Sequence, residues 1–170
     1  MVVGPVRRGL RATLLALAGL WAAIAQAAPP QRLDGIVTRV SDGDTLWLRA
    51  DGGRKPVKLR LVGLDAPEVC QAHGPAARAA LEVRVLGRRV GLQRHAVDEH
   101  GRALVTLWLD GRDVGAGLVA DGHAWSARWR GDPGPYAAEE AAARRAGRGL
   151  FAAPEPEQPR DFRRRHGPCR

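Results

Sequence analysis

Long apolar runs are scarce in this sequence of 170 residues, and the only pronounced one lies within residues 1–27. After residue 27 no segment is apolar enough to span a bilayer. No later helix-forming segment is hydrophobic enough to lie on a membrane surface as an amphipathic anchor. No internal repeat is visible. These absences argue against a membrane domain and against a cationic protein that acts on membranes.

Cysteine is also rare, since only Cys70 and Cys169 occur. The five histidines do not fall at the short, paired spacings of zinc ligands, so a zinc site is not predicted. These histidines are His73, His95, His100, His123 and His166. One of them could still tune a pH dependence if it lies near a reactive pocket.

The first 27 residues have the three parts of a secretory signal. Arg7, Arg8 and Arg11 precede an apolar run over residues 12–25, and Ala25-Gln26-Ala27 forms a small-residue cleavage site. We therefore expect residues 1–27 to be removed on export to a periplasm or to the exterior. The alternative is an uncleaved membrane anchor, for which the run is short.

Cleavage would remove three arginines and no acidic residue, so the formal net charge would fall from +9 to +6. A basic exported protein is suited to a polyanion, such as nucleic acid or a membrane surface. Export also places both cysteines in an oxidising compartment, where a Cys70–Cys169 disulfide can persist. That bond would hold the end of the chain near residue 68, although the sequence alone does not show that it forms.

The length after cleavage predicts one domain, over residues 28–152, followed by a basic tail rich in proline and arginine over residues 153–170. Alternation and turn residues predict strands over 33–40, 45–50, 56–64, 88–97 and 102–111. Helix-forming stretches predict helices over 76–86, 114–122 and 136–151, with a loop or irregular strand over 123–135. This order of elements indicates a small mixed barrel with appended helices, with Trp47 and Trp108 in its core.

Charged residues cluster at the predicted turns and strand ends of this barrel. They are Asp42, Asp44, Arg60, Asp65, Glu68 and Arg102. Each has an ordinary interpretation, because aspartates form turns and charged residues commonly end strands. If they share one rim, however, they form a pocket of carboxylates and guanidinium groups.

Such a pocket has the chemistry that hydrolysis of a phosphodiester requires. The reaction needs charge neutralisation at the phosphate oxygens and a group that orients or deprotonates water. Asp44 and Asp65 are hard oxygen ligands suited to calcium, and Arg60 and Arg102 can each fork onto phosphate oxygens. Glu68 is then left to act on the water.

Five segments, taken in order, resemble the consecutive signatures of the thermonuclease, or staphylococcal-nuclease-like, family. They are VSDGDT (40–45), LRLVGLDAPE (59–68), DEHGRAL (98–104), LVADGHAW (118–125) and YAAEEAAARRAGRGLF (136–151). The resemblance implies an α+β fold, a five-stranded OB-fold β-barrel with about three helices. It also implies a calcium-dependent nuclease that acts on DNA and RNA and leaves 3′-phosphate and 5′-hydroxyl ends. The sequence leaves the oligomeric state open, and a monomer is the default expectation.

Site residues follow from the same resemblance. It implies that Asp44 and Asp65 bind calcium, helped by the backbone carbonyl of Ala66. Glu68 would be the general base or water-positioning group. The phosphate and its transition state would be bound by Arg60 and Arg102. A non-catalytic OB-like binding module is the alternative, but a decayed site would be expected to lack at least one of these residues.

The sequence departs from the family where bases are bound. His100 lies where relatives commonly have tyrosine, and the residues around Arg128 lack the tyrosines of the nucleotide pocket. Base stacking would then either be weaker than in those relatives or come from Trp125 or Trp129. The arginines Arg163, Arg164 and Arg165 are either a phosphate-binding patch or part of a solvated tail, and their charge alone does not decide between these.

Overall fold

The computed structural model describes Met1 and residues 32–169. Apart from Met1, the predicted signal peptide over residues 1–27 lies outside the described residues, as do residues 28–31 at the predicted start of the domain. Among the helices described, none has both the length and the apolar character to cross a membrane.

Eight strands and four α-helices make up the described chain. The strands are β1 (Arg32–Val40), β2 (Thr45–Ala50), β3 (Val57–Leu61), β4 (Leu64–Asp65), β5 (Arg89–Val97), β6 (Ala103–Leu109), β7 (Arg112–Asp113) and β8 (Trp125–Ser126). The helices are α1 (Gly74–Val85), α2 (Val114–Ala120), α3 (Ala137–Arg145) and α4 (Pro159–His166), with a 3₁₀ helix at Gly149–Ala152.

Five of the strands close into a barrel. The sheet order is β3-β2-β1-β5-β6, with antiparallel pairing between these neighbours. A parallel pairing of β3 with β6 joins the two ends and removes the sheet edges. The structure therefore confirms the α+β, OB-like barrel with appended helices.

Alternating side chains fill the barrel, as the period of a strand requires. Leu46 and Leu48 on β2 and Leu107 on β6 are fully buried. Trp47 and Trp108 occupy the opposite parity and are only partly buried. The prediction that these two tryptophans are core residues is wrong, because their neighbours in sequence take the inward positions.

The predicted strand over residues 56–64 is interrupted at Gly63, whose φ of 78° lies in the left-handed region that favours glycine. Residues after the break form β4, which leaves the barrel and pairs with β8. In this pairing Asp65 lies opposite Trp125. The segment predicted as a loop or irregular strand thus contains the strand that holds Asp65 in place.

A buried carboxylate on α3 supports β8. Glu140 is 1% exposed, and its Oε2 accepts a hydrogen bond of 2.9 Å from the backbone N–H of Ser126. Its Oε1 accepts from Arg128 at 2.6 Å and from Arg144 at 2.7 Å. Because β8 pairs with β4, Glu140 indirectly supports the position of Asp65.

We expect Glu140→Ala to lower the free energy of unfolding by about 3 kcal/mol, because it leaves a buried N–H without an acceptor and two arginines without their partner. Glu140→Gln should lower it less, since the amide oxygen still accepts from Ser126. Urea unfolding followed by tryptophan fluorescence measures the loss. Glu139→Ala, on the same helix turn, is the control. Equal losses in the two alanine variants would show that the buried network contributes no stability.

The C-terminal tail is more ordered than its composition predicts. Residues Pro159–His166 form α4, a helix absent from the sequence-based prediction, and Pro159 is its buried residue. Cys70 and Cys169 are joined in a disulfide, as expected, across 99 residues of sequence. The tail is therefore attached to the segment that carries Glu68.

Candidate active site

Pairing of β2 with β3 brings the first charged groups together. Thr45 lies opposite Arg60, and the backbone N–H of Leu61 donates to the carbonyl of Asp44 at 2.8 Å. The Arg60 guanidinium therefore reaches the Asp44 carboxylate, with Nη1 donating to Oδ1 and Nη2 lying on Oδ2, both at 2.9 Å. Nη2 also donates to Asp65 Oδ1 at 3.1 Å. One guanidinium thus bridges the two predicted calcium ligands.

Burial dominates the electrostatics of these carboxylates. Asp44 is 3% exposed, and loss of solvation raises its pKa, with Arg60 opposing the rise. Burial likewise raises the pKa of Asp65, although Arg163 and Arg60 oppose it. The two carboxylates therefore favour additional positive charge close by, which a cation would supply.

Asp42 keeps the role of a turn residue. Its Oδ1 accepts a hydrogen bond of 3.0 Å from the backbone N–H of Asp44. This short-range contact fixes the turn that delivers Asp44 to the barrel rim. Thr45 completes the local network, because its hydroxyl donates to Asp44 Oδ1 at 2.9 Å.

Glu68 lies in a tight turn between β4 and α1. The backbone N–H of Gln71 donates to the Glu68 carbonyl at 2.8 Å, and Gln71 Oε1 accepts from the Glu68 N–H at 3.1 Å. Gly74 packs so closely that a Cβ there would lie 1.9 Å from the Glu68 carbonyl oxygen. A side chain at Gly74 would therefore displace the backbone of Glu68.

Arg102 enters the site from the start of β6. Parallel pairing of β6 with β3 places Ala103 opposite Leu59. This pairing brings Arg102, the residue before Ala103, to the rim of the barrel that carries Arg60. Asp98 orients Arg102, accepting from its Nε at 2.7 Å and from its backbone N–H at 2.9 Å. The contact with Asp98 is made through Nε, and Arg102 also lines the cavity described below.

All of these groups surround one open cavity of about 600 Å³. Its lining includes Asp42, Asp44, Arg60, Ala66, Glu68, Asp98, Glu99, His100, Arg102, Arg163 and Pro168. Asp65 lies beside the cavity, because its carboxylate accepts a hydrogen bond from Arg60, which lines the cavity. The fold thus brings together the predicted carboxylates and arginines from four separate parts of the chain.

The donor set fits a hard cation with few protein ligands. Asp44 and Asp65 supply carboxylate oxygens, and Ala66 is among the residues that line the same cavity. Within residues 32–169 no group of three or more His, Cys, Asp or Glu side chains is arranged to hold a metal ion. A cation here would consequently need water and substrate oxygens to complete its coordination, which calcium accepts readily.

Trp125 does not lie where a base could stack on it. Its ring is 2% exposed and packs edge-on against Phe151, with centroids 6.1 Å apart. The structure therefore corrects the prediction that a base stacks on Trp125, because a ring buried in the core offers no free face. Trp129, four residues later, is 72% exposed and remains accessible. Arg128 is paired with Glu140 at 2.6 Å, so its guanidinium is partly committed to the fold.

The three tail arginines have different surroundings. Arg163 turns into the cavity and donates from Nη1 to Glu68 Oε1 at 2.6 Å. Arg164 pairs with Asp161 and Arg165 with Glu157, both on the exposed side of the tail. The sequence left all three together, either as a phosphate-binding patch or as part of a solvated tail, and did not single out Arg163. The one signal in the sequence that could have indicated Arg163 was the predicted Cys70–Cys169 disulfide, because that bond brings the tail close to Glu68.

Two histidines meet away from the cavity. His73 and His123 are stacked, with Nε2 of the first 3.1 Å from Nδ1 of the second. Burial lowers the pKa of both, so the neutral pair with one shared proton is favoured. Among the described residues, no group of three or more potential metal-ligating side chains includes this pair.

Comparison with known proteins gives a consistent answer. The family model described as staphylococcal nuclease homologue matches residues 58–153. Protein ParB of Escherichia coli is 36% identical over 172 residues, covering 94% of this chain and 95% of that protein. Micrococcal nuclease of Shigella flexneri is 31% identical over 141 residues, covering 76% and 80%. An uncharacterized endonuclease of Haemophilus influenzae is 32% identical over 128 residues, covering 75% and 71%.

The matched region includes Arg60, Asp65, Glu68 and Arg102, and Asp44 precedes it. The barrel, the cavity and the relatives therefore agree on the chemistry, which is hydrolysis of phosphodiester bonds in nucleic acid. The chain belongs to the staphylococcal nuclease homologue family, and it is a nuclease.

Proposed function

We propose that this protein is an exported, calcium-dependent, monomeric nuclease that cleaves DNA and RNA and leaves 3′-phosphate and 5′-hydroxyl ends. The observation that carries the proposal is the Arg60 bridge between Asp44 and Asp65 on the wall that also holds Glu68 and Arg102. It supports the proposal because a candidate cation site, a candidate base and two candidate phosphate-binding groups then share one cavity.

Asp44, Asp65 and the backbone carbonyl of Ala66 would hold the calcium ion. When bound, calcium supplies charge neutralisation at a nonbridging phosphate oxygen. The burial that raises the pKa of both aspartates favours a cation, since a bound cation stabilises their ionised form. Without such a cation, the carboxylates would repel the phosphate.

Glu68 would orient or deprotonate the attacking water, because it lines the same cavity as Asp44, Arg60 and Arg102. Arg60 and Arg102 would bind the phosphate and stabilise the charge that develops as water attacks phosphorus in line. The 5′ oxygen then leaves, which gives the proposed ends. Asp98 assists by holding Arg102 with two hydrogen bonds.

Substrate strands would extend beyond the cavity along nearby basic and aromatic groups. Trp129 offers an exposed ring on which a base can stack, a contact worth about 1–3 kcal/mol in single-strand binding proteins. Arg128, Arg164 and Arg165 would add salt-dependent contacts to phosphates. Each is partly exposed and carries an acidic partner that a phosphate could replace.

Export is supported by the disulfide together with the signal-like sequence of residues 1–27. Disulfides persist mainly in oxidising compartments. The proposed functional chain is therefore the one that follows residue 27, comprising the nuclease domain over 28–152 and the tail over 153–170.

Digestion of end-labelled single-stranded DNA and RNA by the exported form tests the proposal. We expect cleavage of both with calcium and none in excess chelator, because the phosphate charge is then not neutralised. Treatment of the products with phosphatase and kinase identifies the ends, and 5′-phosphate products would contradict the proposed direction of attack. Undiminished cleavage in chelator would contradict the cation site.

A further inference from the structure

The C-terminal tail contacts the Glu68 turn at three of its four residues, 68–71. Arg163 donates to Glu68 Oε1 at 2.6 Å, and the disulfide joins Cys70 to Cys169. Gln71, next to Cys70, donates from Nε2 to the backbone carbonyl of Glu157 at 2.6 Å. The same four-residue turn that holds the candidate base is therefore connected to the tail by an ion pair, a hydrogen bond and a covalent bond.

We propose that the tail is part of the active site, with Arg163 as the positioning residue of Glu68 and the Cys70–Cys169 disulfide as the anchor of the tail. This inference rests on the proposed function. It assigns a role that the barrel residues alone do not fulfil, because the Glu68 side chain has no other hydrogen-bond donor among the contacts within residues 32–169.

The geometry suits positioning. A glutamate side chain loses rotamer freedom when it is held in one orientation, and an ion pair that forms beforehand removes this cost from the reaction step. Arg163 binds Oε1 and leaves Oε2 free for water. Its Nη2 also lies 3.7 Å from Asp65 Oδ2, so one guanidinium sets the base relative to a candidate cation ligand.

The anchor is needed because the tail has little hydrophobic attachment of its own. Pro159 is the buried residue of α4, and Phe162 is only partly buried. A short helix with so few apolar contacts is marginal by itself. The disulfide keeps it next to Glu68, and Pro168, beside the bonded cysteine, lines the cavity.

Steady-state kinetics on a single-stranded oligonucleotide with saturating calcium tests the assignment. We expect Arg163→Gln to lower kcat by about tenfold and to change KM by less than about threefold, since the lost contact orients the base. Arg163→Lys should recover part of kcat, because an ammonium can still donate to Oε1. Arg160→Gln, at an exposed position of the same helix, is the matched control and should keep the wild-type kcat.

A double-mutant cycle shows whether Arg163 acts through Glu68. In the Glu68→Gln background, Arg163→Gln should cause no further loss of kcat. Cys169→Ser should lower kcat about as much as Arg163→Gln, and the two changes together should lower it no further. A rise in kcat on removing Arg163 would overturn the proposal in favour of inhibition by the tail, and a change confined to KM would overturn it in favour of phosphate binding.

Limited trypsin digestion supplies a readout that does not depend on activity. Mass spectrometry after reduction follows cleavage at the remaining tail arginines, which should be slow in the wild type and faster in Arg163→Gln, Glu68→Gln and Cys169→Ser. Equal protection in all four proteins would overturn the contact. If the wild type cleaved no nucleic acid while the digestion rates still differed, the proposed function would fail and the Arg163 pair would be structural only.

Discussion

Replacing Glu68 by glutamine should reduce cleavage of single-stranded DNA by about a hundredfold or more, within the range contributed by general acid-base groups. Glutamine has nearly the same shape but cannot take a proton from water. The turn around it should persist, because Gln71 holds the backbone of residue 68 and not its side chain. Initial rates at saturating calcium, with and without chelator, measure the loss.

Glu99→Gln is the control for this prediction. Glu99 lines the same cavity, but its side chain is largely exposed and reaches only His100. Loss of one negative charge from the cavity should therefore change the rate little. If the two variants lost activity equally, the effect would be electrostatic and Glu68 would have no special part in activating water.

Arg60→Gln should affect activity and stability separately. We expect the rate to fall by about 100- to 1,000-fold, the range for removing a group that stabilises transition-state charge. In chelator the free energy of unfolding should fall by about 3 kcal/mol, because buried Asp44 loses the partner that holds both its oxygens. Calcium should recover much of the stability, since it supplies positive charge, but it should not recover the rate.

The stability loss should depend on pH. Burial raises the pKa of Asp44 in the folded state above that of the unfolded chain, and Arg60 limits the rise. Without Arg60 the ionised carboxylate destabilises the fold at pH values above this pKa. This destabilisation disappears as the pH falls and the Asp44 carboxyl binds a proton. Because the raised pKa of Asp44 is about 8 in the wild type, the gap in thermal midpoint between wild type and Arg60→Gln should be widest above pH 8 and should narrow as the pH falls through that value.

Lys58→Gln provides the matched control, because Lys58 shares the strand and the parity of Arg60 but is exposed. Arg60→Lys separates charge from shape, since an ammonium cannot fork across both oxygens of Asp44 while also reaching Asp65. An Arg60→Gln protein whose activity returned with calcium would contradict a role for Arg60 at the phosphate.

Local patterns predicted the strands and much of the site because they depend on neighbours in sequence. Alternation identified β2 with its observed limits, and the turn residues around Asp42 and Asp44 identified the end of β1. Glu68 and Asp65 lie three residues apart in LRLVGLDAPE (59–68). Because this single segment resembles a family signature, it was enough to identify both residues. Arg102 was found the same way, from its place after a polar turn.

Other features depended on contacts that the sequence pattern does not encode. Trp125 and Trp129 look alike in sequence, but pairing of β8 with β4 buries the first and leaves the second exposed. Proline and arginine made the tail resemble a solvated segment, although it contains α4. The helix is kept by attachment to the rest of the domain more than by its own propensity.

The sequence by itself determined the kinds of group in the active site, their order and the barrel that carries them, because strand parity and turn chemistry are local properties. Only the tertiary structure decided which arginine reaches Glu68. Arg163 and Glu68 are separated by 95 residues, and they meet because the disulfide and the Gln71 hydrogen bond bring the tail across the cavity. Three adjacent arginines have the same charge, and the orientation of one helix places a single guanidinium on the carboxylate.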